Sequence, residues 1–187
     1  SRPRTVLADL AELAQVGRLA DEVGKMTDRL DVLVNNAGIG GGLPDARTRQ
    51  TSADGYEPRF AVNYLAGFRL TLGLLPLLRS GAPARIVNVA SLGQHRLDFA
   101  DLMLERRYDG TRAYAQSKLA QIMFTFDLAE QLAGSGVTVT AVHPATFMAT
   151  GMVLNAGIEP LTTVAEGAEA ILAVAVGPQH AKTAGKF

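Results

Sequence analysis

The chain has 187 residues, 48% of them hydrophobic, enough to bury a sizeable core in one domain. Eighteen basic and eighteen acidic residues cancel to a formal net charge of zero and neither sign gathers in a block, so no electrostatic footprint for nucleic acid or an anionic membrane is present and small neutral partners are expected. The absence of cysteine excludes disulfides, thiolate metal ligands and a cysteine nucleophile within these residues and leaves the redox compartment open.

The sequence opens on "SRPR", without a methionine, and passes at once into a strand-like run; it stops equally abruptly at "AGKF". Both ends read as cuts through a domain, so a fragment is expected. Four short runs are rich in Val, Ile and Leu without polar alternation: "TVLAD" (5–9), "DVLVNN" (31–36), "RIVNVA" (85–90) and "VTVTAV" (137–142). Such runs suit strands buried on both faces. Helical patterns occupy roughly 11–25, 56–79, 111–133 and 163–176. In the third of these, Leu119, Ile122, Met123, Phe126 and Ala129 form an apolar stripe at helical spacing, and in the second Pro76 should kink or end the helix because it removes a donor and crowds the preceding turn. The alternation predicts an α/β domain, a doubly wound parallel sheet with helices on both faces in three layers, whose ligands sit at the carboxyl ends of the strands. The longest apolar run, "LTLGLLPLL" at 70–78, is far short of the ~20 residues that span a bilayer, and the first residues carry no signal-peptide pattern. A soluble, cytoplasmic protein is expected.

Three of the four strand exits are polar. After Asp9 and Leu10 come "NNAG" at 35–38, Ser91 closing "NVAS", and "HPAT" at 143–146. Ser91 could be a nucleophile, a hydrogen-bond donor to a substrate oxygen, or a turn residue; the hydrolase option needs G-x-S-x-G on a sharp strand-to-helix turn, and position 89 is Val. The cluster "GIGGG" at 38–42 fails the dinucleotide fingerprint, since Leu43 stands where the third glycine belongs and Pro44 and Asp45 follow instead of a helix start. Its glycines are expected to allow close backbone approach or a flexible loop. His95, His143 and His180 lack metal-ligand spacing, so no metal site is expected. "YAQSK" places Tyr114 and Lys118 at i and i+4 on one helical face. A nearby ammonium favours the phenolate, and moving a phenol down from ~10 by ~2–3 pH units takes ~3–4 kcal/mol, which would make a general acid/base. A packed tyrosine beside a solvated lysine fits the same pair.

Taken in order, "NNAG" after a strand, Asn63 in "FAVNYLAGF", Ser91 after a strand, and Tyr114 with Lys118 resemble the short-chain dehydrogenase/reductase (SDR) family. The segments "VNYLAGFRLTLGLLPLL", "DFADL" and "YAQSKLAQIMFTFDLAEQL", with 23 residues separating Ser91 from Tyr114, look most like its retinol-dehydrogenase-like branch. The resemblance covers nearly the whole chain, from the third family strand to just short of the last.

It implies a single partial NAD(P)-binding Rossmann-fold domain over 1–187 that lacks the first strands, their glycine-rich pyrophosphate loop and the last strand. The cofactor would be NAD or NADP, and the reaction the interconversion of a carbonyl compound and an alcohol by hydride transfer. Tyr114 would be the proton donor or acceptor, Lys118 would lower its pKa and hold the nicotinamide ribose, Ser91 would bond the substrate oxygen, and Asn63 would anchor a water linking Lys118 to solvent. Asn36, Ala37 and Gly38 would line the adenosine ribose, with Asp9 and Leu10 against adenine, although Asp9 also suits a helix cap. Pro144 and Thr150, or Thr146, would face the nicotinamide, a role weakened because Ala145 stands where many members have glycine. The apolar 147–158 segment falls where the family carries its substrate loop, which implies a small to medium-sized apolar carbonyl or alcohol. A homo-oligomer through the helices at 56–79 and 111–133 is implied as well. The competing readings are a non-catalytic dinucleotide-binding regulator and an inactive fragment of a reductase.

Overall fold

The computed structural model describes residues 3–42 and 46–187. Leu43, Pro44 and Asp45, on which the fingerprint reading turned, lie outside the described residues, as do Ser1 and Arg2. Three parallel strands, β1 (Val32–Asn35), β2 (Ala84–Val89) and β3 (Val137–Val142), form a sheet in the order β1-β2-β3, with Asn35 level with Asn88 and Asn88 level with Ala141. Parallel neighbours require crossovers, and helices supply them. Helix α1 (Leu13–Met26) precedes β1; α2 (Pro58–Phe60), a π-turn (Ala61–Leu65) and α3 (Ala66–Ser80) run as one continuous element to β2; α4 (Gly110–Gln131) leads to β3. A short α5 (Gly151–Leu154) and α6 (Val164–Val176) follow.

The strands' own alternation decides which helix covers which face. Ala84 and Ile86 join Ala20, Leu74, Leu78, Phe124, Leu128 and Val139 in the main core, which lies between the sheet and the layer of α1, α3 and α4. Arg85 points the other way and donates to the carbonyls of Val174 (3.1 Å) and Gly177 (2.8 Å), neutralising the negative end of α6 on the opposite face. The start of α6 is fixed by a reciprocal pair, Thr163 accepting from the Glu166 amide while the Glu166 carboxylate accepts from the Thr163 amide. Helix, sheet and helix thus make the three expected layers.

Four expectations from periodicity change. Residues 5–9 form no strand, and Leu7 is 92% exposed. A strand exists only through its ladder, and no described strand lies alongside this one. Asp9 accepts from the Ala11 amide in a local turn, while the first amide of α1, on Leu13, is capped by Asp54 from 41 residues away (2.7 Å). Helix α3 runs through Pro76 to Ser80 instead of ending there. On α4 the apolar stripe divides: Ile122 is buried and Ala129 packs on the main core, whereas Met123 (40%) and Phe126 (44%) are exposed and the polar Gln116, Ser117, Gln121 and Thr125 are buried. The buried polar residues have partners waiting for them, Asn63 for Ser117, Asn88 for Thr125, Lys118 for Gln121 and the Leu102 carbonyl for Gln116.

Two elements depart from what the run lengths suggest. Pro58–Ser80 spans 23 residues at a mean hydropathy of 1.4, long and apolar enough to cross a membrane by length and composition, yet Leu74 and Leu78 go to the domain core. At the other end, Lys186 bridges Thr140 in parallel, and the Gly185 amide donates to Val139, so the free edge of β3 is covered.

At the C-terminus of α3, Gly81 is required for space. Its φ of −83° suits any residue, but a Cβ there would overlap the Leu30 carbonyl, whose own amide donates to Leu77 (2.9 Å). Gly81→Ala should therefore lower unfolding stability by about 2–3 kcal/mol in urea titration; an unchanged midpoint would contradict this packing.

Candidate active site

The parallel register brings the exits of β1, β2 and β3 to one edge, so residues far apart in sequence meet there. Ser91 lies just past β2, and its Oγ accepts from the Gly93 amide (3.0 Å). Tyr114 and Lys118 rise from the first turns of α4, whose start Asp109 fixes by accepting from the Arg112 amide (2.7 Å). Ser91 and Tyr114 lie side by side at Gly93, where a Cβ would stand 3.4 Å from Ser91 Oγ and 3.8 Å from the Tyr114 ring, and the Lys118 ammonium lies 5.9 Å from the centre of that ring.

The expected direction of the tyrosine's pKa is reversed. Burial pushes the Tyr114 phenol up, and the neighbouring Ser91 only partly opposes it. Lys118 does not lower it, because its ammonium is directed at the Val89 carbonyl (2.8 Å) and, more distantly, at Gln121 Oε1 (3.4 Å). Lys118 is 4% exposed, and burial brings its pKa down to about 8. Each of the two groups is thus shifted toward its neutral form by the loss of water.

Asn63 occupies the π-turn, a widened turn of the kind that recurs at functional sites. Its Oδ1 accepts from the Ile39 amide (2.8 Å), and its Nδ2 donates to the Ile39 carbonyl (3.1 Å) and to Ser117 Oγ (3.0 Å). Asn63 is therefore a backbone clasp for the loop after β1. It also faces Lys118 across Gly38: a Cβ at Gly38 would stand 3.2 Å from Asn63 Oδ1 and 3.6 Å from Lys118 Nζ. The glycine keeps that space open, and an ammonium has three donors to place in it or around it.

The remaining candidates divide. Leu10, Asn36 and Ala37 come together with Val34, Asn63 and Gly67 around a cleft of about 80 Å³. Asp9 is exposed and engaged in its local turn instead of lining that cleft. Pro144 stands at the exit of β3, next to His143, whose Nε2 lies 3.1 Å from Thr146 Oγ1. Thr150 precedes α5 and is held through its backbone to Met148, Val153 and Leu154. The glycine cluster does allow close approach: Gly41 packs on the backbone of Thr111, with a Cβ there 2.9 Å from its Cα, and Gly40 lies under Met152.

Sequence reasoning missed the buried polar line that supports the site. Asn35 Nδ2 donates to Thr71 Oγ1 (2.9 Å) and Asn88 Oδ1 (2.8 Å); Asn88 Nδ2 donates to Thr125 Oγ1 (2.8 Å), which donates to the Gln121 carbonyl (3.0 Å). The line crosses β1, β2 and α4 and ends one turn from Lys118. Its signal was Asn35 and Asn88 in otherwise apolar strands. Ser117 was missed too, although it is fully buried between Asn63 and the Tyr114 carbonyl.

The residues present fit a nicotinamide nucleotide on its ribose side, since the open space at Gly38 is flanked by a buried amine and an amide that a Cβ would crowd. Among the described residues no group of acidic and histidine side chains could hold a metal ion.

Comparison with known proteins gives the same direction. The family model described as short chain dehydrogenase matches residues 2–161. Retinol dehydrogenase 13 of Mus musculus is 44% identical over 146 residues, 76% of this chain and 42% of that protein. Retinol dehydrogenase 14 of Homo sapiens is 45% identical over 138 residues, 73% of this chain and 40% of that protein. The solved structure of a short chain dehydrogenase from Burkholderia cenocepacia J2315, in complex with NADP, superposes with a TM-score of 0.71 at 26% identity, covering 97% of this chain and 72% of that one. The chain spans about two fifths of the length of the curated relatives it matches. A match over most of the sequence, joined to the ordered Asn63, Ser91, Tyr114 and Lys118 at one sheet edge, makes this chain a member of the short chain dehydrogenase family.

Proposed function

We propose that these residues carry the ribose-binding and proton-transfer half of an NAD(P)-dependent oxidoreductase that interconverts a carbonyl compound and an alcohol. The observation that carries the reading is the convergence of Ser91, Tyr114 and Lys118 at the carboxyl end of β2. A nicotinamide, when bound, supplies or accepts the hydride. Tyr114, held as a neutral phenol by its burial, donates its proton to the substrate oxygen, or as its phenolate removes the proton from the alcohol. Ser91, beside Tyr114 at Gly93, places a second hydroxyl on the same oxygen and stabilises negative charge developing there. Lys118 holds ribose hydroxyls with donors left beyond Val89 and Gln121. Asn63, expected to anchor a relay water, orders Ile39 and reaches the space it shares with Lys118. Leu10, Asn36, Ala37 and Gly38 form the adenosine-side wall, and Pro144 with Thr150 the nicotinamide-side wall.

The substrate is an apolar carbonyl or alcohol of small to medium size. Support comes from the exposed Phe147, Leu154 and Ile158 in the segment beside the site, and from relatives named for retinol. A cytoplasmic enzyme belongs to the reading, because the segment apolar enough to span a bilayer is committed to the core through Leu74 and Leu78. So does a second copy of the chain against Phe68, Leu72, Met123 and Phe126, which leave an apolar face on α3 and α4 exposed.

Tyr114→Phe, in the protein expressed from its complete gene, should lose at least a hundredfold in kcat for carbonyl reduction by NADPH or NADH while cofactor affinity, followed by nicotinamide fluorescence, stays near wild type. Retained turnover would remove the proton-transfer role; binding of NADPH with no turnover of any carbonyl by the wild type would remove the enzymatic reading altogether.

The lysine gives a second check. Its folded pKa of about 8 lies below the ordinary 10.5, so between those values the unfolded chain binds more protons and stability rises with pH; below about 8 the buried ammonium weakens the fold. In NMR of the ¹³C-methylated protein, one lysine signal should titrate near 8 and vanish in Lys118→Met. If every lysine titrates near 10.5, the ammonium is not desolvated as described.

A further inference from the structure

Upstream of Asn63 lies a buried cluster of polar side chains, Glu57, Arg59 and Tyr108. Glu57 and Arg59 are each 1% exposed. Arg59 Nη1 donates to Glu57 Oε1 (3.1 Å) and to the Tyr108 hydroxyl, which itself donates to Glu57 Oε1 (3.0 Å). Glu57 Oε2 caps the start of the helical element by accepting from the Phe60 amide (2.8 Å). The guanidinium also holds backbone: Nε donates to the Gly40 carbonyl (2.9 Å) and Nη2 to the Gly41 carbonyl (3.0 Å).

Two segments of the site are joined at this point. Gly40 and Gly41 continue directly from Ile39, which Asn63 grips one helical turn further along the same element. Tyr108 stands two residues before α4, the helix that carries Tyr114 and Lys118. Between them the backbones are in direct contact, since a Cβ at Gly110 would lie 2.5 Å from the Gly41 carbonyl oxygen, and the Gly110 amide donates to Ala46 (2.8 Å). The cluster costs a desolvated ion pair, and a buried pair is weak support for stability as such. Its geometry suits a different purpose. A planar guanidinium presents several donors in a fixed fork, so it can fix two carbonyls and a carboxylate in one arrangement, which an ammonium cannot.

We propose that Glu57, Arg59 and Tyr108 are positioning residues: a buried clamp that holds the glycine loop on the ribose side against the start of α4 and so sets the spacing between bound nucleotide and the Tyr114–Lys118 pair. The proposal rests on the function proposed above. Tyr108 keeps its proton throughout the working range, because burial and Glu57 push its pKa up to about 12, so the clamp does not open with pH.

The test compares wild type with Tyr108→Phe, which preserves the ring, and Arg59→Lys, which preserves the charge, in the protein expressed from its complete gene. Backbone hydrogen exchange is followed over 38–42 and 110–118 with and without NADP(H), beside kcat and KM. Tyr108→Phe should keep a cooperative thermal transition, exchange several-fold faster at 38–42 even with NADP(H) present, and lose about tenfold in kcat with the carbonyl KM nearly unchanged. Arg59→Lys should fail to restore wild-type exchange or kcat. Unchanged exchange at 38–42 in folded Tyr108→Phe overturns the clamp, as does faster exchange with unaltered kcat. Should the wild type reduce no carbonyl, the functional reading fails separately, and the exchange comparison alone then decides: faster exchange at 38–42 supports the clamp, and unchanged exchange overturns it.

Discussion

The contact between the Lys118 ammonium and the Val89 carbonyl is the constraint around which the site is arranged. A lysine 4% exposed has lost its hydration, and it can be kept there only if backbone and side-chain acceptors are brought to it. The acceptors come from two elements. Val89 ends β2, and Gln121 lies one turn further along α4, so the helix must sit at one height and one rotation against the strand. That rotation is what turns Gln116, Ser117, Gln121 and Thr125 inward and leaves Met123 and Phe126 outside. The polar line through Asn35, Asn88 and Thr125 fixes the same registry on the same face of the sheet. Its members satisfy one another, which is the condition under which polar groups in a core specify a structure instead of weakening it.

The loop after β1 answers to a second set of contacts. A run of glycines has no side chains to anchor it, and its conformational freedom is costly to remove. Here the neighbouring helical element does the anchoring through side chains spaced one turn apart, Arg59 on Gly40 and Gly41, and Asn63 on Ile39. The π-turn at Ala61–Leu65 widens the helix where Asn63 must reach both polar groups of one residue. Local irregularity and loop order are thus two sides of one arrangement. The short helix α5 closes over the same loop, with Met152 against Gly40, so the segment carrying Thr150 is placed by packing on glycine.

Much of this was legible in the residues themselves. The apolar runs at 31–36, 85–90 and 137–142 are the three strands to within a residue or two, because a strand buried on both faces leaves few alternatives to Val, Ile and Leu. The run at 5–9 has the same composition and no ladder, since pairing is a property of two segments and composition belongs to one. The stripe Leu119, Ile122, Met123, Phe126 and Ala129 held only in part for a related reason: periodicity locates an apolar face but does not say how much of it the core will meet, and Met123 and Phe126 stay outside while Ile122 goes in. Pro76 likewise had local chemistry against it and was kept inside α3, because packing of Leu74 and Leu78 on the sheet outweighs one missing hydrogen bond.

By itself the sequence determined the strand-and-helix alternation and the parallel sheet it demands, since these follow from residue type and local spacing, while Asn63, Ser91, Tyr114 and Lys118 stood out as a set through their ordered resemblance to a known family. Tertiary structure alone decided the direction in which the tyrosine and lysine are shifted, because desolvation depends on what surrounds a group and outweighs the attraction expected from an i, i+4 pair. It also decided which polar residues support the site. Glu57 meets Tyr108 across 51 residues, and Asn88 meets Asn35 across 53 and Thr125 across 37, separations at which no local rule operates and only the closed fold brings donor to acceptor.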